Sequence, residues 1–246
     1  MQDSWPLLCL HGRMATMTAY IPSFCRLHSE TVPLQLPDTR LVVASFDVTQ
    51  LHSEDFQRCA IAPVRGVAKR QSEYLAGRLC AREALRQLGG RAIAPARSDD
   101  GMPLWPEGTV GSITHSAGQA VAIAANSQDW RSLGLDLEKP LSSERATRLA
   151  EGILTPNELQ RASELDATSF ARRVTLTFSL KESLFKVLYP LVRKRFYFHD
   201  AELLDHDDQH ARLRLLLDLH TDWPAGRELD GRFAELNGYL LSLIAV

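Results

Sequence analysis

The sequence predicts an α+β fold in two similar halves, each a helix packed on a mostly antiparallel sheet. Three observations carry this. Short runs rich in branched apolar residues read as strands. Two longer stretches repeat their apolar residues with a helical period instead. The order strand, helix, antiparallel strands then occurs twice along the 246 residues. The halves are expected at 1–131 and 132–246, with a pseudo-twofold relation and a functional cleft between them.

Residues 1–38 read as irregular, punctuated by Pro6, Pro22, Pro33 and Pro37. Residues 41–48 form the first strand. The stretch 67–88 is a helix ended by Gly89 and Gly90, with Tyr74, Leu75, Leu79, Ala81, Leu85 and Leu88 as its apolar stripe. A polar loop covers 97–106. Strands at 109–115 and 119–125 join near Gly118 as a hairpin. In the second half, 133–138 is a strand. Ser142 or Ser143 caps a helix to 151, and Thr155-Pro156-Asn157-Glu158 is a capping-box signature. A long helix runs over 169–189 and stops at Pro190. Strand-like runs follow at 195–204, 211–219 and 232–245. Local echoes support duplication: Arg82-Glu83-Ala84-Leu85 against Lys181-Glu182-Ser183-Leu184, and 117–121 against 236–240.

Hydrophobic residues are 45% and charged residues 24%, the profile of an ordinary globular chain. A net charge of −2 gives no basic field for nucleic acid. Cys9, Cys25, Cys59 and Cys80 lack metal-site spacing and read as buried thiols of a reducing compartment. The opening apolar run is too short for a signal peptide, and no run of eighteen apolar residues predicts a membrane span. The expectation is a cytoplasmic monomer. His11, His28, His52, His199, His206, His210 and His220 show no ligand spacing.

Two segments carry chemistry. In Gly134-Leu135-Asp136-Leu137-Glu138, alternation puts Asp136 and Glu138 on one strand face, about 7 Å apart. Two such charges repel unless a cation lies between them. Mg²⁺ prefers a few carboxylates completed by water and phosphate oxygens. An exposed strand face with alternating charge is the competing reading. The helix 169–189 is apolar over most of its circumference and leaves one polar stripe: Thr175, Ser179, Glu182 and Lys186. This stripe suits a cleft, with Glu182 near a metal and Lys186 near phosphate. The competing reading is a surface salt bridge worth ~0.4 kcal/mol.

Gly-x-Asp-x-Glu followed by Phe178-Ser179-x-Lys181-Glu182-Ser183-Leu184-Phe185-Lys186 closely resembles the two signature motifs of the 4′-phosphopantetheinyl transferases. The two-half layout resembles the surfactin-synthetase-activating (Sfp) type. The segments 74–85, 101–106 and 111–116 look like the enterobactin-synthetase branch. The resemblance covers about residues 40–200. It implies the 4′-phosphopantetheinyl transferase fold and transfer of the phosphopantetheine arm of coenzyme A to a serine of apo acyl or peptidyl carrier proteins, releasing 3′,5′-ADP.

By that resemblance Asp136, Glu138 and Glu182 bind Mg²⁺, with Mn²⁺ as a substitute. Glu182 is also the general base, directly or through water, and Lys186 sits on the pyrophosphate. Lys181, on an adjoining face, is expected to pair structurally. His115 and Thr114 contact coenzyme A phosphate, Arg78 the nucleotide phosphates, and Lys69 and Arg70 the 3′-phosphate. Gly101 and Pro103 flank adenine, with Arg97 beside them. The carrier protein's acidic helix is expected on Arg193-Lys194-Arg195. Competing functions are another Mg²⁺-dependent phosphoryl or nucleotidyl transferase, and a non-catalytic coenzyme A or carrier-binding module.

Overall fold

A computed structural model describes residues 20–28, 34–89 and 92–246. In the first half, β1 (Cys25–His28) and β2 (Thr39–Phe46) precede α1 (Glu54–Arg58) and the long α2 (Ala68–Gln87). A two-residue ribbon, β3 (Ala96–Arg97) with β4 (Pro103–Leu104), leads into the hairpin β5 (Thr109–Ser116) and β6 (Gln119–Asn126). The second half contains β7 (Leu133–Glu138), α3 (Ser143–Ile153), α4 (Pro156–Ala162) and α5 (Ala167–Val192). It closes with β8 (Ala201–His206), β9 (His210–Leu215), β10 (Glu228–Leu236) and β11 (Tyr239–Ala245).

The first sheet runs β1-β2-β6-β5 and the second β7-β11-β10-β9-β8. Every pairing is antiparallel. The duplication is visible in the order. In each half an early strand, a long helix and a later hairpin are combined so that the early strand pairs with the hairpin's second strand: β2-β6-β5 against β7-β11-β10. Both hairpins turn on two residues of positive φ, Ala117-Gly118 and Asn237-Gly238, as a tight turn between twisted strands requires.

Alternation along β2 and β6 explains the layers. Val42, Ala44, Ala120 and Ala122 face α2, while Val43, Val121 and Ile123 share a second core with Leu135, Leu137, Leu241 and Leu243 of the other sheet. A third core lies between α5 and the outer face of the second sheet. The sheet edges β5 and β7 adjoin through side chains. Leu135 N donates to Ser112 Oγ (2.9 Å) and Leu137 N to Thr114 Oγ1 (3.1 Å). This junction brings the carboxylate strand beside the first half.

Several expectations are corrected. The long helix passes Pro190 by two residues and ends at Arg193, in the left-handed region at φ 53°. A proline in a last turn removes a single i→i−4 bond, and Arg193 N still donates to Tyr189 O (2.9 Å). The run 195–204 is strand only from Ala201, because Asp200 accepts from Tyr197 N (2.7 Å) and folds 198–200 into a 3₁₀ turn. The run 211–219 ends as strand at Leu215. The run 232–245 is two strands, split by Asn237-Gly238. Within 1–38, residues 25–28 form an edge strand on β2. Pro6, Cys9, His11 and Pro33 lie outside the described residues. Cys25, Cys59 and Cys80 are free and buried, as expected, and burial pushes the Cys25 thiol up to about 12. Ser142 caps α3, and both bonds of the Thr155–Glu158 capping box are present. Among the described residues no helix is long and apolar enough to cross a membrane.

Candidate active site

Gly134 determines how close α5 comes to β7. A Cβ there would stand 2.0 Å from Ser183 O and 2.7 Å from Val187 N, so only glycine permits the contact. Asp136 shares that strand face and meets the polar stripe of α5 directly. Its Oδ2 accepts from Ser179 Oγ (3.0 Å), and its Oδ1 from Lys186 Nζ (2.6 Å) and Thr114 Oγ1 (3.3 Å). Ser242 of β11, opposite Asp136 in register, bonds Ser179 (2.7 Å) and Ser183 (2.8 Å). Asp136 is thus buried and held from both halves. Thr175 continues the stripe into the interior, donating to Ala171 O and accepting from Leu141 N.

Glu138 and Glu182 complete an acidic group. Burial raises the Glu138 carboxyl to about 7, with Asp136 and Glu182 adding to the rise and Lys186 and Arg145 opposing it. Burial also raises Glu182, opposed by Lys186 and reinforced by Asp136. A cation placed among these carboxyls would favour their ionised forms. Among the described residues no set of three or more His, Cys, Asp or Glu side chains is drawn together as a finished metal cage. Lys186 meets the charge of Asp136 instead. The donor set still fits a hard divalent ion: acid oxygens only, with Glu182 bordering a cleft. The competing reading, a Glu182–Lys186 surface bridge, is not what forms: Lys186 pairs with Asp136.

The first half supplies positive charge. Arg70, Tyr74 and Arg78 recur every four residues on α2 and so share a face. Arg78 is 5% exposed, lies 4.8 Å over the Tyr74 ring and donates from Nη2 to Ala96 O (3.3 Å); its buried Nε has no partner. Burial lowers its pKa, and Arg97 and Arg70 lower it further, so three guanidinium groups repel across one site. An anion would relieve them. Arg70 and Arg97 line both a cleft of about 700 Å³ and a second of about 490 Å³. The second also takes in Gly101, Pro103, Trp105, Lys186, Tyr189 and Arg195. Gly101 has φ +94°, and a Cβ there would press on the Arg97 guanidinium at 3.1 Å. His115 lies between the charges. Its Nδ1 is 3.7 Å from Glu73 Oε2, and burial lowers its pKa against Glu73, with Lys186 and Arg70 lowering it further.

Two expected residues fall elsewhere. Lys69, 71% exposed, turns to Glu73 (3.9 Å) and lines neither cleft. The Thr114 hydroxyl is engaged by Leu137 N and Asp136, which makes it a support of the acidic strand. Glu73, Ser242 and Tyr189 were not anticipated; Glu73 alone had a sequence signal, its i+4 spacing from Lys69. The basic triplet is divided: Arg193 pairs with Asp100 (3.3 Å), Lys194 donates to Asp218 O (2.6 Å), and Arg195 lines the 490 Å³ cleft and a third, of about 240 Å³, beside Glu182.

A family model for the 4′-phosphopantetheinyl transferase N-terminal domain matches residues 60–125, and one for the 4′-phosphopantetheinyl transferase superfamily matches 132–244. Enterobactin synthase component D of Salmonella typhi is 36% identical over 192 residues, 75% of this chain and 76% of the relative. The chain belongs to the 4′-phosphopantetheinyl transferase superfamily. Within it, the Svp transferase of Streptomyces mobaraensis is 38% identical over 193 residues, 74% of each chain. The PptT transferase of Mycobacterium tuberculosis is 33% identical over 193 residues, 74% of this chain and 82% of the relative. These relatives support an Sfp-type or enterobactin-synthetase-type transferase, consistent with the two-half α+β fold.

Proposed function

We propose that this transferase moves the 4′-phosphopantetheine of coenzyme A to a serine of apo acyl or peptidyl carrier proteins and releases 3′,5′-ADP. The observation that carries the reading is the junction of opposite charges. A cleft lined by guanidinium groups runs into a buried carboxylate group, with Lys186 where they meet. Such a surface suits a substrate that is a polyanion at one end and reacts at a diphosphate. The proposed halves are 1–131, which grips the nucleotide, and 132–246, which carries the chemistry.

Arg70, Arg78, Arg97 and His115 would hold the nucleotide phosphates, with Gly101 and Pro103 beside adenine. Asp136, Glu138 and Glu182 would hold Mg²⁺ or Mn²⁺. When bound, that ion would neutralise the diphosphate. The carrier's serine oxygen attacks the phosphorus that bears pantetheine, the bond to the bridging oxygen breaks, and 3′,5′-ADP departs. Glu182 takes the serine proton. Its burial keeps the carboxylate basic enough to do so. Lys186 offsets the charge on the leaving phosphate. Phe185, Phe196, Tyr197 and Phe198 wall a cleft of about 240 Å³ at Glu182, suited to the uncharged pantetheine arm.

The test is a panel of apo carriers, from fatty-acid, polyketide and peptide synthesis, each incubated with coenzyme A and Mg²⁺. A mass increase of one phosphopantetheine, with equimolar 3′,5′-ADP, is expected. A panel left unmodified would reject the reading.

A further inference from the structure

Beside Glu182 stands a lysine that this mechanism leaves unused. Lys181 is 3% exposed. Its Nζ donates to Glu158 Oε2 (2.6 Å) and to Ile153 O at the end of α3 (2.9 Å). Glu158 is equally buried and fully engaged. Its Oε2 also accepts from Thr155 N (2.7 Å), and its Oε1 from Leu203 N (2.6 Å). One carboxylate therefore ties the start of α4 to β8, and Lys181 ties α5 and the end of α3 to that carboxylate. The other ion pair on α5, Lys186–Asp136, has a partly exposed lysine that borders a cleft, whereas both members of Lys181–Glu158 are shut inside the half.

The arrangement is a poor way to gain stability. Taking two charges out of water costs several kcal/mol per ion, and apolar residues of similar size often hold a fold equally well. What an ion pair provides, and apolar packing does not, is direction. The bonds to Glu158 and Ile153 specify the rotation of one turn of α5 about its axis. That turn carries Glu182, and Lys181 and Glu182 border the same cleft. We infer that the Lys181–Glu158 pair is a positioning device that holds the Glu182 carboxylate toward the reacting serine. The inference rests on the base role assigned to Glu182 above.

The test uses the full chain with Lys181→Met, which leaves Glu158 unpaired, and Lys181→Met/Glu158→Gln, which removes both charges. Lys181→Met should lower the unfolding temperature, and the double variant should regain most of it. Even so, kcat of the double variant should remain ~10–100-fold low, since a base displaced by about 1 Å loses that much, with KM for coenzyme A within about twofold of the parent. Hydrogen exchange of the peptide covering 176–188 should be faster in the double variant. A double variant whose kcat recovers with its stability would overturn the inference, as would a loss confined to KM. If the parent modifies no carrier, the function is at fault; exchange then decides this point alone, parent-like protection in the double variant overturning it.

Discussion

The two halves use one plan for opposite purposes. β2 and β7 occupy equivalent places, yet the helix-facing side of β2 presents Val42 and Ala44, and that of β7 presents Gly134, Asp136 and Glu138. The helices differ in the opposite sense. α2 offers Arg70 to a cleft with Arg78 buried behind it, where α5 offers Glu182 and Lys186 with Ser179 buried behind them. Under the proposed function, binding charge lies on one copy and the reacting acid on the other, and the substrate would bridge them. Duplication thus supplies two rigid platforms at a fixed spacing, which is what positioning a diphosphate between a grip and a base requires. The comparison can be broken at either platform.

The largest effect should come from the acidic side. Glu182→Gln keeps the shape of the side chain but cannot take a proton, and a positioned base contributes about 10²–10⁴-fold. Steady-state kinetics should show that loss mainly in kcat. A variant with normal kcat and weakened coenzyme A affinity would move the base elsewhere. The basic side should respond in KM instead. 3′-Dephospho-coenzyme A should bind ~10–100-fold more weakly than coenzyme A, the worth of one charge-assisted hydrogen bond of about 1.5–3 kcal/mol. In Arg78→Ala that gap should narrow, because the guanidinium that loses its anion is already gone. An unchanged gap, measured by competition binding, would separate Arg78 from the 3′-phosphate.

A stability measurement sharpens the contrast without any substrate. Glu138 has its pKa raised from 4.5 to about 7 by burial and by Asp136. The folded chain therefore keeps a proton that the unfolded chain has released. Below about 4.5 both states are protonated and the group is neutral in its effect. Between about 4.5 and 7 the unfolded state is increasingly favoured, so stability should fall as pH rises and then level off. Glu182 shifts in the same direction. With Mg²⁺ or Mn²⁺ present the fall should flatten, since a bound cation favours the ionised acids. Thermal unfolding of chelator-treated protein from pH 5 to 8 reads this directly. A curve that is flat without metal would place Glu138 in solvent.

Much of this was legible beforehand because it depends on local rules. The period-2 alternation at 133–138 and the polar stripe of α5 put Asp136, Ser179 and Lys186 on facing surfaces, and they meet. The capping box at Thr155 needed no tertiary knowledge. What escaped is what a neighbour decides. Thr114 looked like a phosphate ligand, but the adjoining edge of β7 claims its hydroxyl. Pro190 looked like a stop, but a last turn tolerates one missing bond. Phe198 looked like strand, and Asp200 turned it. The Arg193-Lys194-Arg195 triplet is contiguous in sequence, and a left-handed residue at its first position sends the three side chains apart.

That divided triplet gives the smallest expected effect. Arg193 and Tyr189 from α5 both reach Asp100, in the loop between β3 and β4, at 3.3 Å. Together they form a tie between the acid-bearing half and the loop that carries Gly101. Arg193 is 58% exposed at its side chain, so the pair is screened by water and salt. Exposed pairs contribute ~0.2–1 kcal/mol, and Tyr189 would still hold the loop. Arg193→Ala should therefore raise KM for coenzyme A by no more than about fivefold. kcat should stay unchanged, and the difference should shrink at high salt. Arg195→Ala, facing both clefts, should have the larger effect on coenzyme A and keep it at high salt. If instead Arg193→Ala slowed carrier proteins while leaving coenzyme A kinetics alone, the residue would serve the protein partner, and the tie between the halves would be incidental.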